Sequence, residues 1–242
     1  MKEFSNLNAG WNPLEHISSD GNKLYYQIHM PSAIEDGKKY PLIIYMHGAG
    51  SKADDNSHIN SRYADFLRNF EKGEYKEKAI LFAPGCPKSG SWVQSRDPKQ
   101  VTLDHTLEPT VQMKAVIEIL ENVENNLPVD KKRFYIHGNS MGAHATWELL
   151  SRFPGRFAAA VPGCGGGDPA MAYKKLDTAI WFFHGDADAT VPYECSVIMN
   201  KALIEAGHKN FTFTTFPGAG HGISKNIADY PGLMEWMFEK SL

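Results

Sequence analysis

The chain has 242 residues, of which 42% are hydrophobic and 22% are charged, an ordinary composition for a globular protein. The net charge is −3 and the isoelectric point is near 6.4, which excludes the basic surface of a nucleic-acid or anionic-membrane binder. No apolar run approaches the length of a membrane-spanning helix. We therefore expect one globular domain over residues 1–242, with no nucleic-acid partner and no membrane partner.

The three cysteines, Cys86, Cys164 and Cys195, are odd in number and lack the spacing of a metal site. The N-terminus lacks the apolar core of a signal peptide. Together these features predict free thiols that serve for packing and a cytoplasmic location. Removal of an export signal would leave the same sequence, so that alternative stays open.

Short apolar runs alternate with amphipathic segments along most of the chain. Strands are predicted at residues 23–30, 41–46, 79–84, 133–137, 157–162, 178–183 and 211–216. Helices are predicted at about 60–70, 109–125, 141–152, 194–206 and from about 223 towards 240. We expect the first strand to lie antiparallel at an edge, and the others to form a mostly parallel sheet with helices on both faces.

Residues 133–147 join an aromatic and β-branched run to a run of good helix formers through Gly138-Asn139-Ser140-Met141-Gly142. This order predicts a strand, a tight turn and a helix, with the serine hydroxyl exposed above the sheet. The two glycines leave room for the neighbouring strand and helix. Ser140 is therefore the candidate nucleophile.

A serine hydroxyl needs a base to accept its proton and a third group to orient that base. In a wound parallel sheet such groups collect at the carboxyl ends of the strands. Most of the ten histidines are excluded as the base because their predicted positions are not at this edge of the sheet. His221 follows the last strand directly, in a glycine-rich loop. His221 is the candidate base, and an ordinary surface histidine is the alternative.

The loop at residues 184–192 follows a buried strand and contains two aspartates, Asp186 and Asp188. Asp188 lies far enough from the strand to reach the base, whereas Asp186 is placed to cap the turn. We predict that Asp188 orients His221, with Asp186 as the alternative.

The tetrahedral intermediate of acyl transfer needs N–H donors for its oxyanion. The amide of Met141, at the start of a helix, supplies one. The second is expected from the loop His47-Gly48-Ala49-Gly50, where we favour the amide of Ala49 over that of Gly50. His47 is expected to brace this loop, and a simple strand-to-loop turn is the alternative for the motif.

Trp92 lies in a long irregular segment, residues 85–105, at the same edge of the sheet. We predict that it forms a wall of the substrate pocket, with core packing as the alternative. Asp54, Asp55 and Asn56 lack the further oxygen ligands of a metal loop and are interpreted as a polar turn and helix cap. No nucleotide-binding glycine motif is present, so neither a metal nor another cofactor is expected.

These motifs resemble the α/β-hydrolase superfamily, and within it the small bacterial carboxylesterases of the phospholipase/carboxylesterase and feruloyl-esterase-like group. The resemblance covers about residues 40–222 and rests on residues 47–50 with 54–56, 83–87, 138–142, 184–192 and 220–221. It implies an α/β-hydrolase fold and a catalytic triad in the chain order Ser140, Asp188, His221.

Two positions depart from the pattern of that group. Ala143 stands where a second glycine is common, and Gly85 stands where a longer polar residue is usual. We expect the first change to be tolerated; the second, in a variable pocket loop, weakens any transfer of substrate preference. Dienelactone hydrolases are similar but carry cysteine at the nucleophile position, so Ser140 argues against that activity.

The segment between Pro162 and Thr178 has no room for a large cap domain. The resemblance therefore implies an open site and a serine carboxylesterase acting on a small-molecule substrate, a small or aromatic acyl ester. Whether the protein forms a homodimer stays open. The alternatives are a peptidase of the prolyl-oligopeptidase type, which usually carries a gating domain, and a binding protein, which characteristically lacks a triad member.

Overall fold

Within residues 4, 6–94, 102–104, 106–175 and 177–242, which the computed structural model describes, eight strands form one sheet. They are β1 (Gly10–Ile17), β2 (Lys23–Met30), β3 (Tyr40–Met46), β4 (Ile80–Gly85), β5 (Val129–Asn139), β6 (Ala159–Gly163), β7 (Ala179–Gly185) and β8 (Phe211–Phe216). Their spatial order is β1-β2-β4-β3-β5-β6-β7-β8. β2 is antiparallel to both of its neighbours and the other pairs are parallel, which confirms the mostly parallel sheet.

The prediction that the strand at residues 23–30 lies at the edge of the sheet is wrong. β1 occupies the edge, and β2 lies between β1 and β4. β1 contains Pro13, which pairs with Gln27 of β2. Proline cannot donate to a ladder and is confined to edge strands or bulges, so its presence hides the strand in the sequence while the edge position tolerates it.

Helices cover both faces of the sheet, as predicted. α2 (Val111–Asn126), α3 (Met141–Arg152) and α4 (Glu194–Glu205) contribute to one hydrophobic core, and α1 (Asp65–Lys72), α5 (Ser224–Ala228) and α6 (Leu233–Phe238) contribute to the other. Consecutive residues of β3 alternate between the cores, with Ile44 in the first and Tyr45 in the second.

Two predicted helices have different bounds in the structure. Residues Asn56–Asn60 form a short 3-10 helix, and α1 begins only at Asp65. The amide of Ser57 donates to Asp55 at 2.8 Å, which confirms that the acidic turn caps a helix. The last predicted helix is divided into α5 and α6 because Gly232, which follows Pro231, adopts a left-handed φ of 76°.

Among the described residues, only a short 3-10 helix (Pro169–Lys175) lies between β6 and β7. No large cap formed by these residues covers the carboxyl edge of the sheet, as the sequence predicts. None of the described helices has the length and apolar character needed to cross a lipid bilayer.

Candidate active site

The turn at Ser140 has the strained geometry of a nucleophile elbow. Ser140 has φ 56° and ψ −122°, a conformation that residues other than glycine rarely adopt. The surrounding backbone holds this conformation: the Ser140 amide donates to the carbonyl of Gly163 at 2.8 Å, and its carbonyl accepts from the amide of Ala143 at 2.8 Å. The turn is thereby fixed between β6 and the first turn of α3.

The two glycines of the motif are required by close backbone contacts. A Cβ atom on Gly142 would lie 1.8 Å from the carbonyl oxygen of Met46, at the end of β3. A Cβ atom on Gly138 would lie 2.2 Å from the carbonyl oxygen of Gly142. Neither backbone oxygen can move without displacing its strand or helix, so only glycine fits at either position.

Ala143 stands where a second glycine is common in the similar group. Its side chain fits because the facing residue, Gly165, has none. Its methyl group is fully buried, and a Cβ atom on Gly165 would lie 2.7 Å from it. The two positions thus share the space for one methyl group.

We expect Gly165→Ala to lower the free energy of unfolding by about 1–3 kcal/mol, because it overfills this space. Adding Ala143→Gly to that variant should restore part of the loss, although Ala143→Gly alone destabilises the helix. Urea unfolding of the two single variants and the double variant measures this coupling. Strictly additive effects would contradict the shared-space explanation.

The predicted nucleophile, base and acid converge at the carboxyl edge of the sheet. His221 Nε2 lies 2.9 Å from Ser140 Oγ, and His221 Nδ1 lies 2.7 Å from Asp188 Oδ2. The carboxylate accepts a hydrogen bond from Nδ1–H, which leaves Nε2 free to accept the proton of the serine hydroxyl. The sequence prediction of these three positions thus describes one continuous chain of hydrogen bonds.

Asp188 is held by three donors and its side chain is inaccessible to solvent. Oδ1 accepts from the amides of Thr190 at 2.8 Å and Val191 at 2.9 Å, while Oδ2 accepts from His221. Burial of the carboxyl group opposes ionisation, but the hydrogen bonds from His221 and the two amides outweigh it and lower the pKa of Asp188. The acid is therefore ionised at neutral pH.

His184, which lies beside Asp188, was not singled out by the sequence analysis. Its Nε2 donates to the carbonyl of Val191 at 3.2 Å and also lies 3.2 Å from Asp188 Oδ2, while its Nδ1 lies 2.7 Å from the hydroxyl of Ser196. Burial lowers the pKa of His184, which keeps the ring neutral. The signal in the sequence is its position near the end of a buried strand, directly before a loop that contains two aspartates.

Asp186, the alternative acid, does not join this chain of hydrogen bonds. Its Oδ1 accepts from the amide of Gly218 at 2.6 Å. This contact ties the loop after β7 to the loop after β8, so Asp186 serves as the turn cap that its position suggested.

The loop after β3 lies beside the nucleophile. A Cβ atom on Gly48 would lie 3.4 Å from the Cβ atom of Ser140, and Ala49 opens a short 3-10 helix (Ala49–Ser51). Met141 is the first residue of α3, where an amide has no acceptor within its own helix. The amides of Ala49 and Met141 therefore come from the two segments that adjoin Ser140.

His47 braces this loop, as expected from the sequence. Its Nε2 accepts from the amide of Cys86 at 2.9 Å, so Nδ1 carries the proton and donates to the carbonyl of Gly48 at 2.8 Å. The ring is fully buried between β3 and β4. Gly85, expected in a variable pocket loop, instead ends β4 against His58, whose Nδ1 would lie 2.7 Å from a Cβ atom.

The prediction that Trp92 forms a wall of the substrate pocket is wrong. Its side chain is completely buried, its indole N–H donates to the carbonyl of His47 at 2.9 Å, and its ring packs edge-on against the His47 ring. A large ring with a satisfied N–H is more stable in the core than at a solvent-filled pocket. Residues 95–101 and 105 of the same irregular segment lie outside the described residues.

Two buried histidines link the stability of the fold to pH. Burial lowers the pKa of His47 to about 3 and that of His137 to about 4, against the opposing effect of a backbone hydrogen bond in each case. Below pH ~6.5 the unfolded chain binds protons at these positions and the folded chain does not. The free energy of unfolding therefore falls as the pH drops from ~6.5 towards ~4.

We expect these two rings to contribute a slope of about 2.7 kcal/mol per pH unit near pH ~5. Urea unfolding at a series of pH values between ~7 and ~5 measures the slope. His137→Asn should reduce it by about 1.4 kcal/mol per pH unit, whatever its effect on stability at neutral pH. An unchanged slope in that variant would show that His137 does not stay neutral in the folded protein.

A cavity of about 430 Å³ opens beside Ser140 and His221. Its walls are mainly apolar and include Tyr45, Tyr63 and Ile223 as well as the 48–51 loop. This size and lining are typical of sites that bind small molecules. The cavity, the serine and the oxyanion loop together form a candidate active site for acyl transfer.

Among the described residues, Cys164, His184 and Asp188 place three potential metal-ligand atoms within 4.8 Å of one another. Both Asp188 oxygens already accept hydrogen bonds, and burial raises the pKa of the Cys164 thiol. We therefore assign these contacts to the orientation of Asp188. Cys164 lines the cavity as a buried thiol with a φ of 53°.

Comparison with known proteins begins with the dienelactone hydrolase family, which matches the chain over residues 80–231. The probable feruloyl esterase C of Aspergillus terreus (strain NIH 2624 / FGSC A1156) is 24% identical over 207 residues, covering 82% of this chain and 67% of that protein. The dipeptidyl peptidase 4 of Sus scrofa is 23% identical over 245 residues, covering 89% of this chain and 30% of that protein.

Among solved structures, a thermostable esterase matches with a TM-score of 0.86 and 28% identity, covering 96% of this chain and 63% of that chain. A ferulic acid esterase matches with a TM-score of 0.66 and 16% identity, covering 96% of this chain and 98% of that chain, which shows a shared fold. The chain thus spans less than a third of the peptidase and less than two thirds of the thermostable esterase. Because the family match takes in most of the sheet, the serine turn and the histidine loop, the chain belongs to the dienelactone hydrolase family of α/β hydrolases.

Proposed function

We propose that this protein is a serine carboxylesterase that hydrolyses small or aromatic acyl esters. The observation that carries the proposal is the unbroken series of hydrogen bonds from Ser140 Oγ through His221 to Asp188. This series ends beside an apolar cavity large enough for an acyl group. A serine in this setting can attack a carbonyl carbon because its proton has an acceptor at hydrogen-bond distance.

In the proposed reaction Ser140 Oγ attacks the ester carbonyl while its proton passes to His221 Nε2. The amides of Met141 and Ala49 stabilise the oxyanion, and Asp188 stabilises the imidazolium. His221 then protonates the alcohol oxygen as the bond to the acyl carbon breaks. A water molecule, deprotonated by His221, attacks the acyl-enzyme and releases the carboxylic acid.

The esterases among the similar proteins support this reaction class. The thermostable esterase and the probable feruloyl esterase C both act on esters according to their names, and each matches more than four fifths of this chain. The absence of a large cap over the site among the described residues favours substrates whose alcohol extends into solvent, such as acyl groups on sugars.

The first experiment is hydrolysis of p-nitrophenyl acetate, together with labelling by a fluorophosphonate probe. We expect turnover, and mass spectrometry should place the probe on Ser140. A folded protein that neither hydrolyses the ester nor reacts with the probe would overturn the proposal and favour a binding protein.

A peptidase is the second candidate, since dipeptidyl peptidase 4 aligns with 89% of this chain. Esters and amides with the same acyl group separate the two functions. We expect the ester to be hydrolysed much faster than a p-nitroanilide with the same acyl group. Comparable or faster amide hydrolysis would favour the peptidase.

A further inference from the structure

The ring of His184 lies between the first turn of α4 and the turn that carries Asp188. The ring is fully buried, and its Nδ1 lies 2.7 Å from the hydroxyl of Ser196 in α4. On the other side, its Nε2 lies 3.2 Å from the carbonyl oxygen of Val191 and 3.2 Å from Asp188 Oδ2. His184 thus connects a helix to the acid that orients the base.

The contacts of this ring determine which nitrogen carries its proton. Nε2 faces two oxygens that only accept, the Val191 carbonyl and the ionised Asp188 carboxylate, so the proton is on Nε2. Nδ1 is then an acceptor and binds the hydroxyl proton of Ser196. The Ser196 hydroxyl also lies 3.2 Å from the carbonyl of Gly165, but its 2.7 Å contact with Nδ1 is the shorter. Ser196 therefore fixes the tautomer in which the N–H of His184 points at the Asp188 turn.

The series of hydrogen bonds continues from His184 to the base. The carbonyl of Val191 accepts from His184, and the amide of Val191 donates to Asp188 Oδ1 at 2.9 Å. Asp188 Oδ2 in turn accepts from His221 Nδ1 at 2.7 Å. Val191 is held at both its carbonyl and its amide, so a displacement of the carbonyl also displaces the donor on which the carboxylate rests. The orientation of the Asp188 carboxylate therefore depends on the His184 ring.

The ring is also held in place by packing. Tyr193, directly before α4, packs edge-on against it, with ring centroids 5.6 Å apart and planes inclined by 85°. Burial lowers the pKa of His184, so the neutral ring acts as a hydrogen-bond donor and not as a cation. Neither His184 nor Ser196 belongs to the described residues that line the cavity beside Ser140. We therefore expect both residues to affect hydrolysis through Asp188 and not through contact with substrate.

We propose that His184 and Ser196 are positioning residues for the reaction at Ser140. They hold the Asp188 turn in the orientation in which its carboxylate accepts the hydrogen bond from His221 Nδ1–H. This inference rests on the proposed esterase function. It extends the series of hydrogen bonds by one residue on β7 and one on α4. The start of α4 thereby takes part in the arrangement of the active site.

The first test is the hydrolysis of p-nitrophenyl acetate by His184→Leu and Ser196→Ala. We expect His184→Leu to lower kcat about 5- to 100-fold, because the buried carbonyl of Val191 loses its donor and the turn must rearrange to find another. Ser196→Ala should lower kcat about 3- to 10-fold, the effect of one neutral hydrogen bond. KM should change by less than about 3-fold in both variants, since the lost contacts do not involve substrate.

Two further variants separate positioning from a loss of stability. His184→Gln keeps an N–H donor near the place of Nε2 and should recover most of kcat. His208→Leu is the matched control, since His208 is also buried and its Nε2 donates to the carbonyl of Thr178 at 2.9 Å, directly before β7. This control should lower the free energy of unfolding in urea but leave kcat unchanged.

Three kinetic results would each overturn the inference: an unchanged kcat in His184→Leu, an equal loss of kcat in His184→Gln, or an equal loss in His208→Leu. If His184→Leu does not fold, Ser196→Ala must still lower kcat while KM stays unchanged.

Proton NMR gives a readout that does not depend on turnover. The His221 Nδ1 proton, in a 2.7 Å contact with the Asp188 carboxylate, should resonate far downfield in wild-type protein. We expect this resonance to move upfield in His184→Leu and Ser196→Ala and to stay in place in His208→Leu. An unmoved resonance in the first two variants would refute the positioning role alone. Failure of the proposed function looks different, because wild-type protein would then neither hydrolyse p-nitrophenyl acetate nor react with the fluorophosphonate probe.

Discussion

Replacing Ser140 with alanine is expected to lower kcat for p-nitrophenyl acetate by about 10⁵- to 10⁶-fold, as removal of the nucleophile does in other serine hydrolases. The reason is the 2.9 Å contact between Ser140 Oγ and His221 Nε2, which alanine removes together with the nucleophile itself. Residual activity would come from the oxyanion donors and from substrate binding. Steady-state kinetics and probe labelling both measure the loss.

Ser151→Ala is a matched control for this substitution. Ser151 lies in the same helix, α3, and its buried hydroxyl donates to the carbonyl of Trp147 at 2.9 Å. Activity should persist in this variant. Circular dichroism should show that both variants are folded, and substantial turnover by a folded Ser140→Ala protein would refute the assignment of the nucleophile.

Asp188→Asn is expected to lower kcat by about 10⁴-fold, the effect of the same change in a serine protease triad. The three groups that donate hydrogen bonds to Asp188 are His221 and the amides of Thr190 and Val191. An asparagine keeps its carbonyl oxygen on these amides and turns its NH₂ group towards His221. That ring must then accept at Nδ1 and carry its proton on Nε2, where it can no longer take the proton of Ser140.

Asp186→Asn separates this explanation from a general effect of charge. Asp186 lies in the same loop, but its carboxylate accepts from the amide of Gly218 and an asparagine oxygen can do the same. Its kcat should change by less than about 10-fold. A large loss in Asp186→Asn together with a small loss in Asp188→Asn would reverse the two assignments.

The sequence predicted that Ser140, Asp188 and His221 lie together because topology restricts where such groups can lie. Ser140, Asp188 and His221 each follow a strand of a parallel sheet, and the carboxyl ends of those strands share one edge. The local pattern at residues 138–142 was equally informative, since only glycine fits against the neighbouring carbonyls. Both the position of a residue after a strand and the requirement for glycine follow from backbone geometry, and backbone geometry can be predicted from sequence patterns.

What the sequence could not show depends on contacts between distant side chains. Trp92 lies at the active edge, but only the position of the His47 carbonyl reveals that its indole is buried beneath the loop. The sequence presents Tyr45 as one more apolar residue of a buried strand, and only the folded structure shows that it lines the cavity beside Ser140. β1 was missed for a different reason, because Pro13 obscures the strand pattern that an edge position permits.

The close contact between Gly142 and the carbonyl of Met46 joins the turn at Ser140 to the loop after β3. Met46 ends β3 and directly precedes the loop that contains Ala49, while Gly142 begins the helix that follows the nucleophile. The distance between Ser140 and the amide of Ala49 is therefore determined by a direct contact between two backbone segments, without an intervening side chain. In the proposed reaction these two segments need no closing motion, because the serine and the amide of Ala49 take up their positions as the sheet folds.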